Sequence, residues 1–91
     1  MILNDFEIVS LYHARNQQAV EITQKQYGAY CHTVSMNILH SQPDAEECVN
    51  DTYLKTWNSI PPTKPNSLCA FVCRIARNLS LNRLRDLRRD R

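Results

Sequence analysis

Hydrophobic positions along the chain recur at steps of three and four, which is the spacing of one face of an α-helix. No stretch bounded by turn signals alternates between apolar and polar residues, as a half-buried strand would. The chain also contains a single glycine. The pattern therefore predicts an all-α fold, a compact domain of four helices.

The first predicted helix begins after Asn4, because Glu7 three residues later completes a capping box. The apolar side of this short helix is formed by Phe6, Val9, Leu11 and Tyr12. We expect it to end within residues 14–16.

The second predicted helix is longer and is capped by Asn16. Its apolar positions are Val20, Thr23, Tyr27, Tyr30, Cys31, Val34 and Ile38. Gly28 weakens the helix without necessarily ending it. A turn at residues 40–43 follows.

The third predicted helix starts at Pro43 or Asp44, and the proline-rich segment 60–65 ends it. Its core side consists of Ala45, Cys48, Val49, Thr52, Tyr53, Thr56 and Ile60. The opposite side carries Glu47, Asn50, Asp51, Leu54 and Asn58, with Trp57 at the boundary. A leucine rimmed by polar groups suits protein docking. A single exposed leucine is also ordinary, so this helix alone leaves both interpretations open.

The fourth predicted helix is capped by Asn66 or Ser67. Its apolar side consists of Leu68, Phe71, Val72, Ile75, Ala76 and Leu79, and then shifts toward Leu84 and Leu87. The other side gathers four arginines and one amide within about a third of the circumference. These residues are Arg74, Arg77, Asn78, Arg85 and Arg88.

This basic face has two physical interpretations. Arginine binds phosphate oxygens with a bidentate fork, and an asparagine amide pairs with base edges, so the face suits nucleic acid. A solvated helix face, or a basic amphipathic helix that binds an acidic protein or a membrane, is the alternative. Residues 74–91 hold seven Arg and two Asp, so their net charge is +5, whereas residues 1–73 have a net charge of −3. The basic character is therefore confined to the C-terminal part.

Length and composition argue against other classes of function. The 91 residues provide one small domain. The three histidines are dispersed, and neither a nucleophile motif nor a phosphate loop is present, so we expect no enzyme and no cofactor. No apolar run approaches the roughly 18 residues of a membrane span, and no signal peptide begins the chain. We therefore expect a cytoplasmic protein.

The cysteines are expected to be free thiols in a reducing cytosol, because they mostly occupy apolar positions of the helical patterns. They are Cys31, Cys48, Cys69 and Cys73. Cys69 and Cys73 share a helix face, but no CxxC motif is present and Cys48 belongs to a core side. No metal site is predicted.

Several motifs occur in a specific order. They are DAEE at 44–47, CVNDTY at 48–53, LKTW at 54–57, FVCRIARN at 71–78 and LNRLR at 81–85. In this order and spacing the chain resembles region 2 of a bacterial sigma factor, in the extracytoplasmic-function (ECF) group of the sigma-70 family. The resemblance covers essentially all of residues 1–91.

The resemblance implies a compact helical domain with two partners and no membrane association. The third helix would dock on the clamp helices of the β′ subunit of RNA polymerase, through Glu47, Asn50, Asp51, Leu54, Lys55 and Asn58. The fourth helix and the preceding loop would bind the non-template strand of the −10 promoter element and help to open the duplex. The residues that would do so are Lys64, Asn66, Ser67, Arg74, Arg77, Asn78 and Arg85, and Arg88 completes the same basic face. An anti-sigma factor is a further candidate partner, and we expect a monomer when the protein is free.

The chain departs from the family pattern mildly at Asn50-Asp51, where Gln-Glu is usual, and at Asn82, where Asp is common. The loop departs more, because Ile60-Pro61-Pro62 replaces an aromatic-Arg-Gly segment. Phe71-Val72-Cys73 also replaces a typical Trp-Leu-Tyr. Few aromatic rings are then left to stack on an unpaired base. We expect the loop and the start of the fourth helix to form a pocket, with Asn78 reading one extruded base.

A helix-turn-helix region 4, which such sigma factors carry, is absent from this chain. Residues 86–91 resemble the start of a basic interdomain linker, so we expect a fragment of a longer protein. Two alternatives stay open. One is a sigma-like remnant that binds polymerase without reading promoters, and the other is a basic helical module for an acidic protein or a membrane.

Overall fold

The computed structural model describes residues 3–89, which form four α-helices and no strand. They are α1 (Asp5–His13), α2 (Gln18–Leu39), α3 (Gln42–Ser59) and α4 (Leu68–Arg89). The predicted all-α, four-helix fold is confirmed. Residues 86–89, expected to begin a linker, continue α4, and residues 90 and 91 lie outside the described part. Across residues 3–89, none of the helices has the length and apolar character needed to cross a membrane.

The starts of α1 and α4 follow the capping residues expected from the sequence. The N-cap of α2 is Gln17 rather than Asn16 and makes no side-chain cap hydrogen bond, and α3 begins at Gln42, after Ser41. Asn4 Oδ1 accepts a hydrogen bond from Glu7 N at 2.8 Å, and Glu7 Oε1 accepts one from Asn4 N at 3.1 Å, so the predicted capping box of α1 is confirmed. Ser67 Oγ accepts from Ala70 N at 3.2 Å, which caps α4. Gly28 lies inside α2 without ending it. Local side-chain chemistry thus sets where α1 and α4 begin.

The core lies where α2 packs against both α3 and α4, with α1 covering one side of α2. Its fully buried apolar side chains come from all four helices and the loop after α3. They include Ile8, Tyr12, Ala19, Cys31, Ala45, Ile60, Leu68, Val72 and Ala76. The predicted core side of α3 is confirmed, although Tyr53 is only half-buried.

Two aromatic residues expected in the core are exposed. The Phe6 side chain is 81% exposed and that of Tyr30 is 60% exposed. On α1 the buried side follows Ile8 and Tyr12, and Phe6 precedes Ile8 by two residues, which turns it about 200° away around the helix. On α2 the buried line instead includes Ser35, which the hydrophobic pattern does not mark.

Hydroxyl groups fill part of the core. Ser35 Oγ and Ser80 Oγ lie 2.8 Å apart between α2 and α4, and Tyr12 Oη and Thr23 Oγ1 lie 2.7 Å apart between α1 and α2. An unpaired buried hydroxyl costs about 1–3 kcal/mol. These hydroxyls avoid that cost, because each forms a hydrogen bond across a helix interface. Burial raises the pKa of Tyr12, with the Thr23 hydrogen bond opposing it.

Asp5 links three helices through one carboxylate. Its Oδ2 accepts a hydrogen bond from Leu68 N at the start of α4 at 2.8 Å, and its Oδ1 accepts one from Tyr27 Oη on α2. The hydrogen bond to Asp5 raises the pKa of Tyr27 to about 12, and burial adds to the shift. A carboxylate at a helix N-terminus is favoured by the helix dipole, so Asp5 stabilises the position where α4 begins.

An ion pair joins the start of α3 to α4. Arg83 donates to Asp44 Oδ1 at 2.7 Å and to Glu47 Oε1 at 3.3 Å. The hydrogen bond from Arg83 holds the pKa of Asp44 below its ordinary value of 3.8, and a hydrogen bond to Ser41 adds to this. The ion pair holds the C-terminal half of α4 beside α3.

Gly28 permits a close approach between α2 and α3. A Cβ atom added at Gly28 would lie 2.8 Å from Tyr53 Oη, which is closer than real Cβ atoms come. Glycine costs a helix interior about 1 kcal/mol relative to alanine. The glycine therefore gives up helix stability to make room for the Tyr53 hydroxyl.

We predict that Gly28→Ala raises the free energy of unfolding by about 1 kcal/mol in a Tyr53→Phe background, where the hydroxyl is gone and only the helix gain remains. In the background with Tyr53 intact, the same change gives a smaller gain or a loss, because the methyl group displaces the ring. Urea unfolding followed by circular dichroism measures both values. Equal effects in the two backgrounds would contradict the proposed contact.

We predict that Asp44→Asn lowers the melting temperature at pH 6–7. Since the folded-state pKa of Asp44 is depressed, its contribution is present above the ordinary pKa of 3.8 and is lost as pH falls through the lower folded value. The difference between wild type and Asp44→Asn should therefore shrink as pH drops below about 4. Asp51→Asn is the matched control, since within residues 3–89 Asp51 makes no ion pair. A difference that persists at low pH would argue against the ion pair as its source.

Candidate functional site

The outward side of α3 combines one apolar side chain with acids and amides. All six residues expected to face a protein partner are exposed: Glu47, Asn50, Asp51, Leu54, Lys55 and Asn58. Leu54 is 60% exposed. We call these six residues the α3 face. Its composition is an apolar side chain with a polar rim, a combination that protein-docking surfaces also have.

A shallow groove lies beside the α3 face. Its volume is about 340 Å³, and it is lined by Gln17, Val20, Glu21, Tyr53, Leu54 and Trp57. The first three residues belong to α2 or its start, so α2 contributes to the surface around Leu54. Periodicity within α3 could not reveal this contribution, because it depends on how two helices pack.

Glu47 differs from the rest of the α3 face, because its Oε1 atom already accepts a hydrogen bond from Arg83 at 3.3 Å. Glu47 is exposed on its other sides. A partner cation at this position would compete with Arg83.

The basic side of α4 is exposed over its whole length. Arg74, Arg77, Asn78, Arg85 and Arg88 are all exposed, as predicted from their angular positions. We call these five residues the α4 face. From Arg74 to Arg88 it is about 20 Å long, at 1.5 Å per helical residue. Within residues 3–89 none of its arginines forms an ion pair with an acid, so their charge is available to an anion.

Two further residues modify the α4 face. Leu81 lies in the middle of the face by its angular position and is 39% exposed. The Arg85 guanidinium donates to Asn82 Oδ1 at 3.2 Å, which restrains it on the helix surface.

Arg83, by contrast, lies on another side of α4 and binds α3. At 100° per residue, Arg83 lies on the opposite side of the helix from the α4 face, and this angular position could have indicated its separate role from the sequence.

The loop between α3 and α4 is held by α1 and the turn after it. The Arg15 guanidinium donates to the carbonyl oxygens of Trp57 at 2.9 Å and Ile60 at 2.8 Å. It also stacks on the Trp57 ring, 3.7 Å from its centroid. His13 Nε2 lies 3.3 Å from the carbonyl oxygen of Thr63. The sequence pattern gives no sign of these contacts, because Arg15 lies in a turn outside every helical repeat.

The loop residues expected to contact DNA differ in their roles. Lys64 and Asn66 are exposed. Ser67 is exposed too, but its hydroxyl oxygen caps α4 and is therefore engaged within the chain.

A cavity of about 510 Å³ opens beside this loop. Its lining residues are Phe6, Val9, Ser10, His13, Lys64, Pro65 and Asn66. A pocket at the loop was expected, but its second wall is α1 rather than the start of α4, and Asn78 does not line it. Phe6 supplies the exposed aromatic ring that the loop itself lacks.

The two most buried thiols belong to the core. All four cysteines are free, and Cys31 and Cys48 are buried. Burial raises the pKa of Cys31 to about 12, and the neighbouring Cys73 thiol adds to the shift. The Cys31 thiol, kept protonated in this way, is a poor nucleophile and a poor metal ligand. Over residues 3–89 no group of three or more His, Cys, Asp or Glu residues is placed to hold a metal ion.

Comparison with known proteins identifies the fold family. The family model for sigma-70 region 2 matches residues 23–90. Neither the curated proteins nor the solved structures gave a significant match. The match includes the α3 and α4 faces and leaves out α1. The chain thus belongs to the sigma-70 region 2 family, whose domains are not enzymes and act in transcription initiation by binding RNA polymerase and the −10 promoter element.

Proposed function

We propose that this chain is region 2 of an ECF sigma factor, which docks on polymerase through the α3 face and reads the −10 element through the α4 face and the preceding loop. The single observation that carries the proposal is the division of the surface. An exposed leucine among acids and amides lies on one helix, and an arginine row free of acidic partners lies on the next.

The polymerase contact would be made with the clamp helices of the β′ subunit. Leu54 would enter an apolar site on that partner, and Asp51 would face its cations. The groove beside Leu54 gives the partner a second apolar surface. This arrangement fits a hot spot in which one buried anchor is surrounded by polar contacts that exclude water.

The DNA contact would be made with the non-template strand. Arg74, Arg77 and Arg88 would bind phosphates, and Asn78 would pair with the edge of an unstacked base. Lys64 and Asn66 of the loop would contact the same strand near the start of α4. Binding of unpaired bases at these positions would help to open the duplex, because it stabilises the melted strand.

Further parts of the proposal follow from this role. The protein would work in the bacterial cytoplasm, where polymerase is found, and an anti-sigma factor could cover either face. A region 4 helix-turn-helix domain would accompany it in a longer chain. An in-frame helix-turn-helix region encoded after Arg91 would support that organisation.

We predict that Leu54→Glu weakens binding to a β′ clamp-helix fragment by about 30-fold or more, which corresponds to the loss of a hot-spot residue. Asp51→Arg should slow association and change its salt dependence, because it reverses a charge at the rim. Titration calorimetry and stopped-flow mixing measure the two effects.

Leu87→Glu is the matched control, since it places the same replacement at another exposed leucine, on α4. It should leave affinity for the β′ fragment unchanged. If wild type fails to bind the fragment, both polymerase-binding interpretations are wrong and a basic interaction module becomes the better one.

We predict that Arg77→Ala weakens binding to single-stranded −10 oligonucleotides and scrambled ones alike. It should also reduce the slope of log affinity against log salt by about 0.7, because one phosphate contact is lost. Asn78→Ala should instead reduce the preference for the −10 sequence by about 5- to 100-fold, because it removes a base contact.

Fluorescence anisotropy over a salt series separates the two outcomes, with Lys25→Ala as the charge-matched control outside the α4 face. If Asn78→Ala leaves the sequence preference intact, Asn78 does not read a base. A wild-type protein that binds polymerase but shows no sequence preference would be a sigma-like remnant.

A further inference from the structure

α1 ends in a Schellman motif, in which an arginine occupies the position that is usually glycine. Asn16 N donates to Leu11 O at 3.0 Å. Arg15 N donates to Tyr12 O at 2.9 Å, which completes the motif. Arg15 is the residue after the C-cap and has φ of 56°. Glycine adopts this left-handed conformation readily, whereas the Cβ atom of another residue makes it unfavourable. The helix end by itself therefore favours glycine over arginine.

The side chain of Arg15 makes contacts that glycine could not make. Its guanidinium donates to the carbonyl oxygens of Trp57 at 2.9 Å and Ile60 at 2.8 Å. It also lies 3.7 Å from the centroid of the Trp57 ring. A guanidinium can do both, because it holds several donors in one plane and stacks through its faces. Residues in unfavourable backbone conformations cluster at functional sites, so these contacts suggest a role beyond ending α1.

The loop between α3 and α4 is held at both ends by side chains that flank α1. Arg15 holds the carbonyl of Ile60 at the first end, and Asp5 Oδ2 accepts a hydrogen bond from Leu68 N at the other, at 2.8 Å. Lys64 and Asn66 lie between these ends and are exposed. The three prolines in residues 61–65 leave few backbone donors to order the segment between them. The place of the loop beside α4 therefore depends on the two ends.

We propose that Arg15 is a positioning residue for −10 recognition, which sets the distance between the loop and the α4 face and thereby determines sequence preference without contacting DNA. The inference rests on the proposed function, because it takes Lys64, Asn66 and Asn78 as the residues that contact the strand. Arg15 precedes the residues that match the family model, which begin at 23.

Displacement of the loop should affect base contacts and phosphate contacts differently. A hydrogen bond to a base edge requires a separation of about 2.9 Å and weakens steeply as its angle departs from linear. The attraction between arginines and phosphates acts over a longer range, with a Debye length of about 10 Å at 0.1 M salt. Loss of the Arg15 contacts should therefore reduce sequence preference and leave non-specific affinity unchanged.

The test uses the 91-residue chain and single-stranded DNA. A preferred sequence is first selected with wild type from a randomised single-stranded library, and a scrambled version of it is the non-specific probe. Fluorescence anisotropy over a salt series measures both affinities. Arg15→Ala should reduce the ratio of the two affinities by about 5-fold or more, the lower end of the discrimination that one good base contact provides. Affinity for the scrambled strand and its salt slope should stay as in wild type.

Two further variants separate positioning from stability and from charge. Arg15→Gly should melt at a higher temperature than Arg15→Ala, because glycine adopts the left-handed conformation without strain. It should nevertheless lose the same preference, since the side-chain contacts are gone. Arg15→Lys keeps the charge but lacks the planar fork and the stacking face, so it too should lose the preference. Lys25→Ala is the control, because it removes another exposed cation, on α2, and it should behave as wild type does.

Fluorescence of Trp57, the sole tryptophan of the chain, reports on the contact itself. Quenching by acrylamide should increase in Arg15→Ala and Arg15→Gly, because the stacked guanidinium no longer covers the ring. Unchanged quenching would show that the contact does not form in solution and would overturn the inference. Circular dichroism checks folding, which we expect to persist because the Ile60 side chain stays buried in the core.

The outcomes separate this inference from the proposed function. An equal loss of preference in all three Arg15 variants, with an unchanged salt slope, supports it. Weaker binding to both strands with a salt slope reduced by about 0.7 would make Arg15 a phosphate contact, and the inference would be wrong. It would also be wrong if preference followed the melting temperature or stayed intact. If wild type selects no preferred sequence, the proposed −10 recognition fails before any variant is compared, and the inference fails with it.

Discussion

The contact between Arg15 and the end of α3 is the constraint on which the candidate site depends. The loop after α3 contains three prolines in residues 61–65, which donate no backbone hydrogen bonds, so few backbone donors remain to order it. Arg15 binds two carbonyl oxygens at the start of this loop and stacks on Trp57. Arg15 makes these contacts from a left-handed backbone conformation, with φ of 56°. This conformation is unfavourable for residues other than glycine. The side-chain contacts offset this strain, and they set where the loop leaves α3 relative to α4.

A second interaction decides which charges reach the surface. Arg83 binds Asp44 and Glu47, so one cation of α4 is used to hold the two helices together. The other arginines of α4 point away from α3 and keep their charge exposed. Opposite charges on neighbouring helices therefore do not neutralise each other completely. The α3 face keeps acids and amides around Leu54, and the α4 face keeps its arginines, so the two faces remain chemically different.

Helical periodicity was sufficient to predict the number of helices and both exposed faces, and capping residues were sufficient to predict the capping box of α1 and the cap of α4. These features are local, because each depends on residues three or four apart. The exposure of Phe6 and the burial of Ser35 and Ser80 were not predictable in this way. Hydrophobicity alone ranks a phenylalanine above a serine, whereas the packing of α2 on α4 requires small hydroxyls that pair at 2.8 Å. The contacts of Asp5 and Arg15 join residues 63 and 42–45 positions apart, so no local pattern contains them.

The dependence of the loop on α1 has a consequence for how the candidate site forms. α1 has only 9 residues, and a helix of that length is marginal in water by itself. It persists because Ile8 and Tyr12 are buried and because Asp5 binds the start of α4. The wall that carries Phe6 therefore exists only when the core is folded, and the same core packing places the loop opposite it. The loop proposed to contact DNA is thus held by a segment whose own order comes from the tertiary fold, so the position of the loop is coupled to that of the α4 face.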